Sequence, residues 1–375
     1  MKLIAQSSVA QSLQSISRLR GPSIFAQRCL HTTSANPATV QPITASGPPP
    51  TAPTPSAEHV DARVARRRKQ AELLERGRDM RAVAAGTGGG SAKTKRFWQD
   101  VHVTHTDEGL QIYLDKRPIR RPSKDILTVP HHKPHLANAI ALEWDLLVSA
   151  QQALRVHLIP MTSLVSRALD IIDEDTNSPS SEGSIRASII KTVMRYLDTD
   201  SLLCWAPEAA PDPPGYETHA GRVESLRSIQ KRTAEPIVQY LTERVWPGVE
   251  IIPVLDSDSI MPKSQPQMTK DVIQGWVSGL PAFELAGLER AVLASKGLLI
   301  AARIIVEWSA ELKHLREDAQ PAEKFGVEEA AKAASTEVNW QTDMWGEVED
   351  THDVAKEDVR RQLGSVVLLV SGERA

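Results

Sequence analysis

The rhythm of apolar and polar positions changes along this chain, and the changes divide it. Between Arg96 and Val129 the period is two. Val101 and Val103 alternate with polar neighbours, and Leu110, Ile112 and Leu114 do the same after the turn residues "TDEG". "DKRP" then turns the chain again, so the run predicts a small antiparallel β-meander. Its apolar face needs a cover. "PHLANAIALEWDLLVSA" supplies a helix, with Pro134 at an N1-like position and Leu136, Ile140, Trp144 and Leu147 on one stripe. Beyond Pro160 the helical period holds almost throughout, in "TSLVSRALDII", "GSIRASIIKTVMRYL", "VESLRSIQKRTAEPIVQYLTERV", "TKDVIQGWVSGL" and "FELAGLERAVLASKGLLIAARIIVEW". Helices around Val327–Gln341 and Val354–Val370 complete the chain, and "VEIIPV" (Val249–Val254) is the one candidate strand among them. The expected fold class is α+β: a small meander with its covering helix over residues 96–160, followed by a larger all-α domain over 161–375.

The pattern is different before Arg96. Residues 1–57 carry Lys2, Arg18, Arg20 and Arg28 and no acidic residue, and "MKLIAQSSVAQSLQSISRLR" can form a basic amphipathic helix. That is the composition of a mitochondrial transit peptide, assigned to residues 1–35, with "QRCLHTTSA" as a processing region. Residues 36–95 read as a disordered linker containing the charged helical stretch "EHVDARVARRRKQAELLERGRDMR". "GTGGGSAKT" lacks the glycines of a phosphate-binding loop, with Thr87 and Ala92 in their places, and it leads into a strand rather than a helix.

Charge and chemistry narrow the picture further. A net charge of −3 argues against a general nucleic-acid binder, although "ARRRKQ" keeps open a third reading as an RNA- or ribosome-associated factor. Two cysteines, Cys29 and Cys204, build neither a disulfide framework nor a cysteine zinc site. The most apolar run, "GLLIAARIIVEW", is short and broken by Arg303, so membrane insertion is not expected. "HHKPH" offers three histidines without convergent geometry. In "EWD" the carboxylates of Glu143 and Asp145 splay apart on a helix, which leaves them solvated or paired with a basic residue. Neither a nucleophile elbow nor a dinucleotide fingerprint is present, so no catalytic residue and no cofactor are assigned.

The densest chemistry is "WGEVEDTHDVAKED". It brings Glu347, Glu349, Asp350, Asp353, Glu357 and Asp358 together with His352. It fails as a calcium loop, having no central Gly. Its downstream part reads as a helix start, with Asp353 at the N-cap and Glu357 and Asp358 in the first turn. Just upstream, Glu337 and Gln341 share a stripe with Ala330 and Ala334, as a buried hydrogen-bonded pair or as part of a recognition surface. A metal-dependent matrix hydrolase using Glu347, Glu349, Asp350, His352 and Asp353 is the alternative reading from another class.

The stretches "RFWQDVHV", "LDKRPIRRPSKDILTVP", "ALEWDLL", "IPMTSL", "YLDTDSLLCWA", "LERAVLASKGLLIA" and "WGEVEDTHDV" resemble, in order, the mitochondrial ATP synthase assembly factor 2 family. The resemblance runs from Arg96 to about Leu369. Ala234 and Glu235 replace the aromatic and acid usual before Pro-Ile, and Gly297 replaces a small hydroxyl residue. The resemblance implies a non-catalytic, ATP-independent chaperone. Such a protein binds the free alpha subunit of the mitochondrial ATP synthase catalytic sector until it assembles with beta. It further implies a monomer in the mitochondrial matrix that uses neither metal nor cofactor. Trp345, Glu347, Glu349, Asp350, His352 and Asp353, together with Glu337 and Gln341, are the candidate partner-binding residues.

Overall fold

A computed structural model describes residues 65–72, 96–177, 183–208, 224–255, 261–316 and 324–373. The leader expected over 1–35, and the linker over 36–95 apart from 65–72, lie outside the described residues. Segment 65–72 is helical and fully exposed, as its charged sequence requires.

The alternating run forms β1 (Val101–Thr106) and β2 (Gly109–Leu114), paired antiparallel with Val101 opposite Leu114 and Thr106 opposite Gly109. On its other edge β2 pairs with two short strands, β3 (Arg117–Pro118) and β4 (Thr128–Val129). The period of two places Leu110, Ile112 and Leu114 on one buried face. That face is covered by α1 (Pro134–Leu146), which turns Leu136, Ala137 and Ile140 toward the sheet and begins on Pro134 as expected.

The remaining helices are α2 (Pro160–Asn177), α3 (Ile185–Arg195), α4 (Leu226–Tyr240), α5 (Gln267–Ser278), α6 (Ala282–Ser295), α7 (Leu298–Trp308), α8 (Val327–Ala334), α9 (Thr336–Trp345) and α10 (His352–Val370). Helix α6 is apolar on nearly every side and forms the axis against which α2, α3, α7 and α10 pack. The arginine that interrupts the apolar run of α7 is accommodated locally. The Arg303 guanidinium lies 3.7 Å from the Tyr240 ring centroid and donates to Glu307 at 2.6 Å. Among the described residues no helix is long and apolar enough to cross a membrane.

Three elements differ from the sequence expectation, each for a local reason. The single helix expected over 283–308 breaks at Lys296, which adopts a left-handed φ of 57°. There the carboxylate of Asp200 accepts from the backbone N–H groups of Leu298 (2.6 Å) and Leu299 (2.9 Å), starting α7 as a separate helix. Gly297 permits the approach, because a Cβ there would stand 2.4 Å from Asp200 Oδ1. The helix expected over 327–341 is split at Ser335 into α8 and α9. "VEIIPV" is extended but joins no strand ladder. Side chains take part of its backbone: Gln265 bonds both the N–H (3.1 Å) and the C=O (2.7 Å) of Ile252, and Thr269 donates to the C=O of Glu250, while the N–H of Val254 donates to the C=O of Leu203 at 2.9 Å.

Candidate functional site

The acidic segment forms an elbow between α9 and α10. Helix α9 ends at Gly346, whose φ of 86° is costly for any side chain and whose N–H donates to the C=O of Thr342. The bend leaves Trp345 45% exposed and Val348 58% exposed. Trp345 meets Trp340 edge to face, with centroids 5.6 Å apart. The elbow is pinned at His352, whose Nδ1 accepts from the N–H of Val348 at 3.0 Å while its own N–H donates to the C=O of Val348. Asp350 sits at the tip in a left-handed conformation, φ 58°, which aspartate tolerates better than most residues.

The N-cap of α10 is Thr351, which corrects the expectation for Asp353. Asp353 instead lies in the first turn and accepts from Arg67 Nη2 at 2.5 Å. Arg67 also approaches Asp350 (3.4 Å), and Arg66 approaches Glu349 (3.6 Å). The basic segment 65–72 thus lies on the acidic elbow. The Arg67 hydrogen bond holds the Asp353 carboxyl below the usual carboxylate range, and Asp353 in turn raises the guanidinium above its ordinary value. Arg67 is exposed and Asp353 half-buried, so salt still screens the attraction and the contact is displaceable. On the other side of the elbow, Lys356 donates to Glu347 at 2.7 Å.

The acids are thus taken by basic side chains, Glu347 by Lys356, Glu349 by Arg66, and Asp350 and Asp353 together by Arg67. Among the described residues no group of His, Cys, Asp or Glu is arranged to hold a metal ion. That geometry gives the hydrolase alternative no centre to work from. Gln341 Nε2 donates to Glu337 Oε1 at 3.0 Å, so the pair is hydrogen-bonded. Glu337 is nevertheless exposed, and the buried version of that expectation is corrected.

Sequence reasoning passed over three ionisable groups that fasten the scaffold, the half-buried Glu143 and the buried Asp200 and Lys133. Glu143, expected to be solvated or ion-paired, accepts from the N–H groups of Met161 (2.6 Å) and Thr162 (3.0 Å) and from the Thr162 hydroxyl. It caps the start of α2, and burial raises its pKa. Its neighbour Asp145 does pair with Arg96, at 3.3 Å. Asp200 is completely buried and accepts a third N–H from Leu202. Burial still pushes its carboxyl up to about 6. Lys133, hidden within "HHKPH", donates all three ammonium protons to the carbonyls of Leu369, Val370 and Ser371 at 3.0–3.1 Å, closing the end of α10. The visible signal for Glu143 was an acid on a helix just before a proline-led helix. Asp200 and Lys133 act across long sequence separations and left no such signal.

The pattern of the ATP12 chaperone protein family matches residues 95–242. The mitochondrial protein atp12 of Schizosaccharomyces pombe is 31% identical over 277 residues, which cover 73% of this chain and 81% of that protein. The chain belongs to the ATP12 chaperone family. The mitochondrial ATP12 protein of Saccharomyces cerevisiae is likewise 31% identical, over 74% of this chain and 84% of its own length. The fold agrees with the family. The crystal structure of Atp12 from Paracoccus denitrificans superposes with a TM-score of 0.51 at 19% identity, covering 74% of this chain and 97% of that one. Atu1473 from Agrobacterium tumefaciens gives 0.50 at 22% identity, covering 74% and 85%. The family is described as one of chaperones, in keeping with an elbow whose acids are spent on ion pairs.

Proposed function

We propose that this ATP12-family assembly chaperone of ATP synthase captures the free alpha subunit in the mitochondrial matrix and shields it until beta takes its place. An unassembled subunit exposes a surface made for burial, and such a surface aggregates unless covered. The observation that carries the reading is the elbow itself. Trp345 and Val348 are held outward by Gly346 and His352, and they are flanked by carboxylates. Apolar anchors with a charged margin suit a moderate, displaceable interface. The docked Arg66 and Arg67 illustrate the kind of basic segment the elbow accepts.

In this reading Trp345, Glu347, Glu349, Asp350, His352 and Asp353 contact the client, with Glu337 and Gln341 at the edge. The protein works as a monomer without nucleotide, and residues 1–35 direct its import. The test is light scattering of purified alpha subunit diluted into buffer without ATP, with and without the full chain. Equimolar chain should suppress the aggregation. Identical scattering in both samples would end the proposal.

A further inference from the structure

A second face of the molecule has the anatomy of a binding surface, and it lies on other elements than the elbow. Leu146 ends α1 at 70% exposure, and Val148 and Leu154 follow at 74% and 84% on either side of a single turn of 3-10 helix, Ala150–Leu154. The N–H of Arg96 donates to the C=O of Val148 at 3.3 Å, which brings Phe97, 60% exposed, to the same place. A soluble domain seldom leaves four large apolar side chains together in water without a use for them.

Phe97 lines a recess of about 540 Å³ between the meander and the 3-10 turn, whose Ala150 and Ala153 face it just before Leu154 in the chain. Trp98 and Trp144 line it. Their indole N–H groups are already committed, Trp98 to the C=O of Trp144 and Trp144 to the Thr162 hydroxyl, so neither brings an unmet donor to the recess. The margin is basic. Lys116, Arg117 and Arg120 line the recess, and none of the three has a carboxylate partner among the described residues. Asp145, at the end of α1, is occupied by Arg96.

We infer that this recess docks an amphipathic segment of the client, with apolar side chains entering between Phe97 and Ala153 and passing over the exposed Leu146 and Leu154, and carboxylates meeting Lys116 and Arg117. The inference rests on the chaperone reading above and adds a second grip to it. The charge decides the occupant: an apolar centre with an unpaired cationic margin fits a segment with apolar anchors and acidic flanks. The elbow is acidic and the recess basic, so the two hold different parts of the client. A concave recess suits an inserted side chain better than the plane of a bilayer, which favours the protein occupant over a lipid surface.

The experiment measures binding of purified alpha subunit to the full chain and to the variants L146E/L154E, K116E/R117E and E347K. All substituted side chains are exposed, so thermal melts should coincide. L146E/L154E should weaken binding by about tenfold or more. K116E/R117E should weaken it by roughly threefold and flatten its salt dependence. Wild-type affinity in L146E/L154E alongside weakened binding by E347K overturns the inference and leaves the chaperone reading intact. No binding by the wild-type chain sinks the chaperone reading, and the second grip with it. Two further results assign the face elsewhere and also overturn the inference. One is binding to cardiolipin-containing phosphatidylcholine vesicles that L146E/L154E abolishes while alpha-subunit binding persists. The other is a wild-type dimer, on sizing, that the same variant splits without loss of client.

Discussion

The protein uses carboxylates in two regions under opposite physical conditions. Inside, Asp200 is removed from water and Glu143 is half-buried, and each satisfies two or three backbone N–H groups; burial raises the pKa of both. Glu284, also buried and bonded to the Ser309 hydroxyl, is shifted the same way. At the elbow, Asp353 stays near solvent and its pKa is lowered by Arg67. The interior acids are fastened to the backbone and cannot be exchanged for another partner without loss of fold. The elbow's acids hold side chains that can be replaced. Location rather than residue type separates scaffold from contact surface.

The comparison predicts a graded series. Asp200→Ala removes the acceptor for two buried N–H groups at the α6–α7 break and for that of Leu202, and urea unfolding should show a loss of about 3 kcal/mol. A loss under about 1 kcal/mol would mean that water replaces the carboxylate and that the interior acids are as exchangeable as the elbow's.

Next in size is a dependence on pH. The folded protein binds the Asp200 proton more tightly than the unfolded chain. The group therefore contributes most below the ordinary aspartate range, and its contribution falls as pH rises toward about 6. The penalty of Asp200→Ala, taken from urea midpoints, should shrink by about 1–3 kcal/mol between pH 4 and pH 7. Asp353 has the reverse sign: its pair with Arg67 is intact above the ordinary range and released as pH falls below it. A penalty for Asp200→Ala that grows with pH would invert the comparison.

Glu143→Gln replaces one acceptor oxygen with a donor facing the N-terminus of α2, and should cost about 1–2 kcal/mol in the same assay. The smallest effect on stability belongs to Glu347→Lys, which should move it by no more than about 0.5 kcal/mol. The same variant should lose alpha-subunit capture. A large drop in its melting temperature would place Glu347 with the interior acids.

Much of the fold was legible because periodicity reports burial directly. Val101, Val103, Leu110, Ile112 and Leu114 fell on strands, and the helices after Pro160 followed their stripes. The break at Lys296 was not legible. Its cause, Asp200, is almost a hundred residues away in sequence, and "LASKGLLIA" has no helix-stopping proline. The elbow was visible as composition, but its capping was misread. Asp353 is a favourable N-cap residue in isolation, but the helix starts two residues earlier after Thr351, and the Asp353 carboxylate meets Arg67 instead. The exposed row from Leu146 to Leu154 left no sign at all, because a pattern of apolar residues does not say which of them stay in water.

The Lys133 contact has a consequence for how the molecule comes into being. Its ammonium group ties the carbonyls of Leu369, Val370 and Ser371 to the entrance of α1, and α10 packs along α6 and α2. The core therefore stays open on this side until α10 is in place. A chain released residue by residue from its N-terminus gathers its meander early and waits, with the trough along α6 open, for its last helix. While it waits, with its own apolar trough uncovered, it is as much in need of protection as a client.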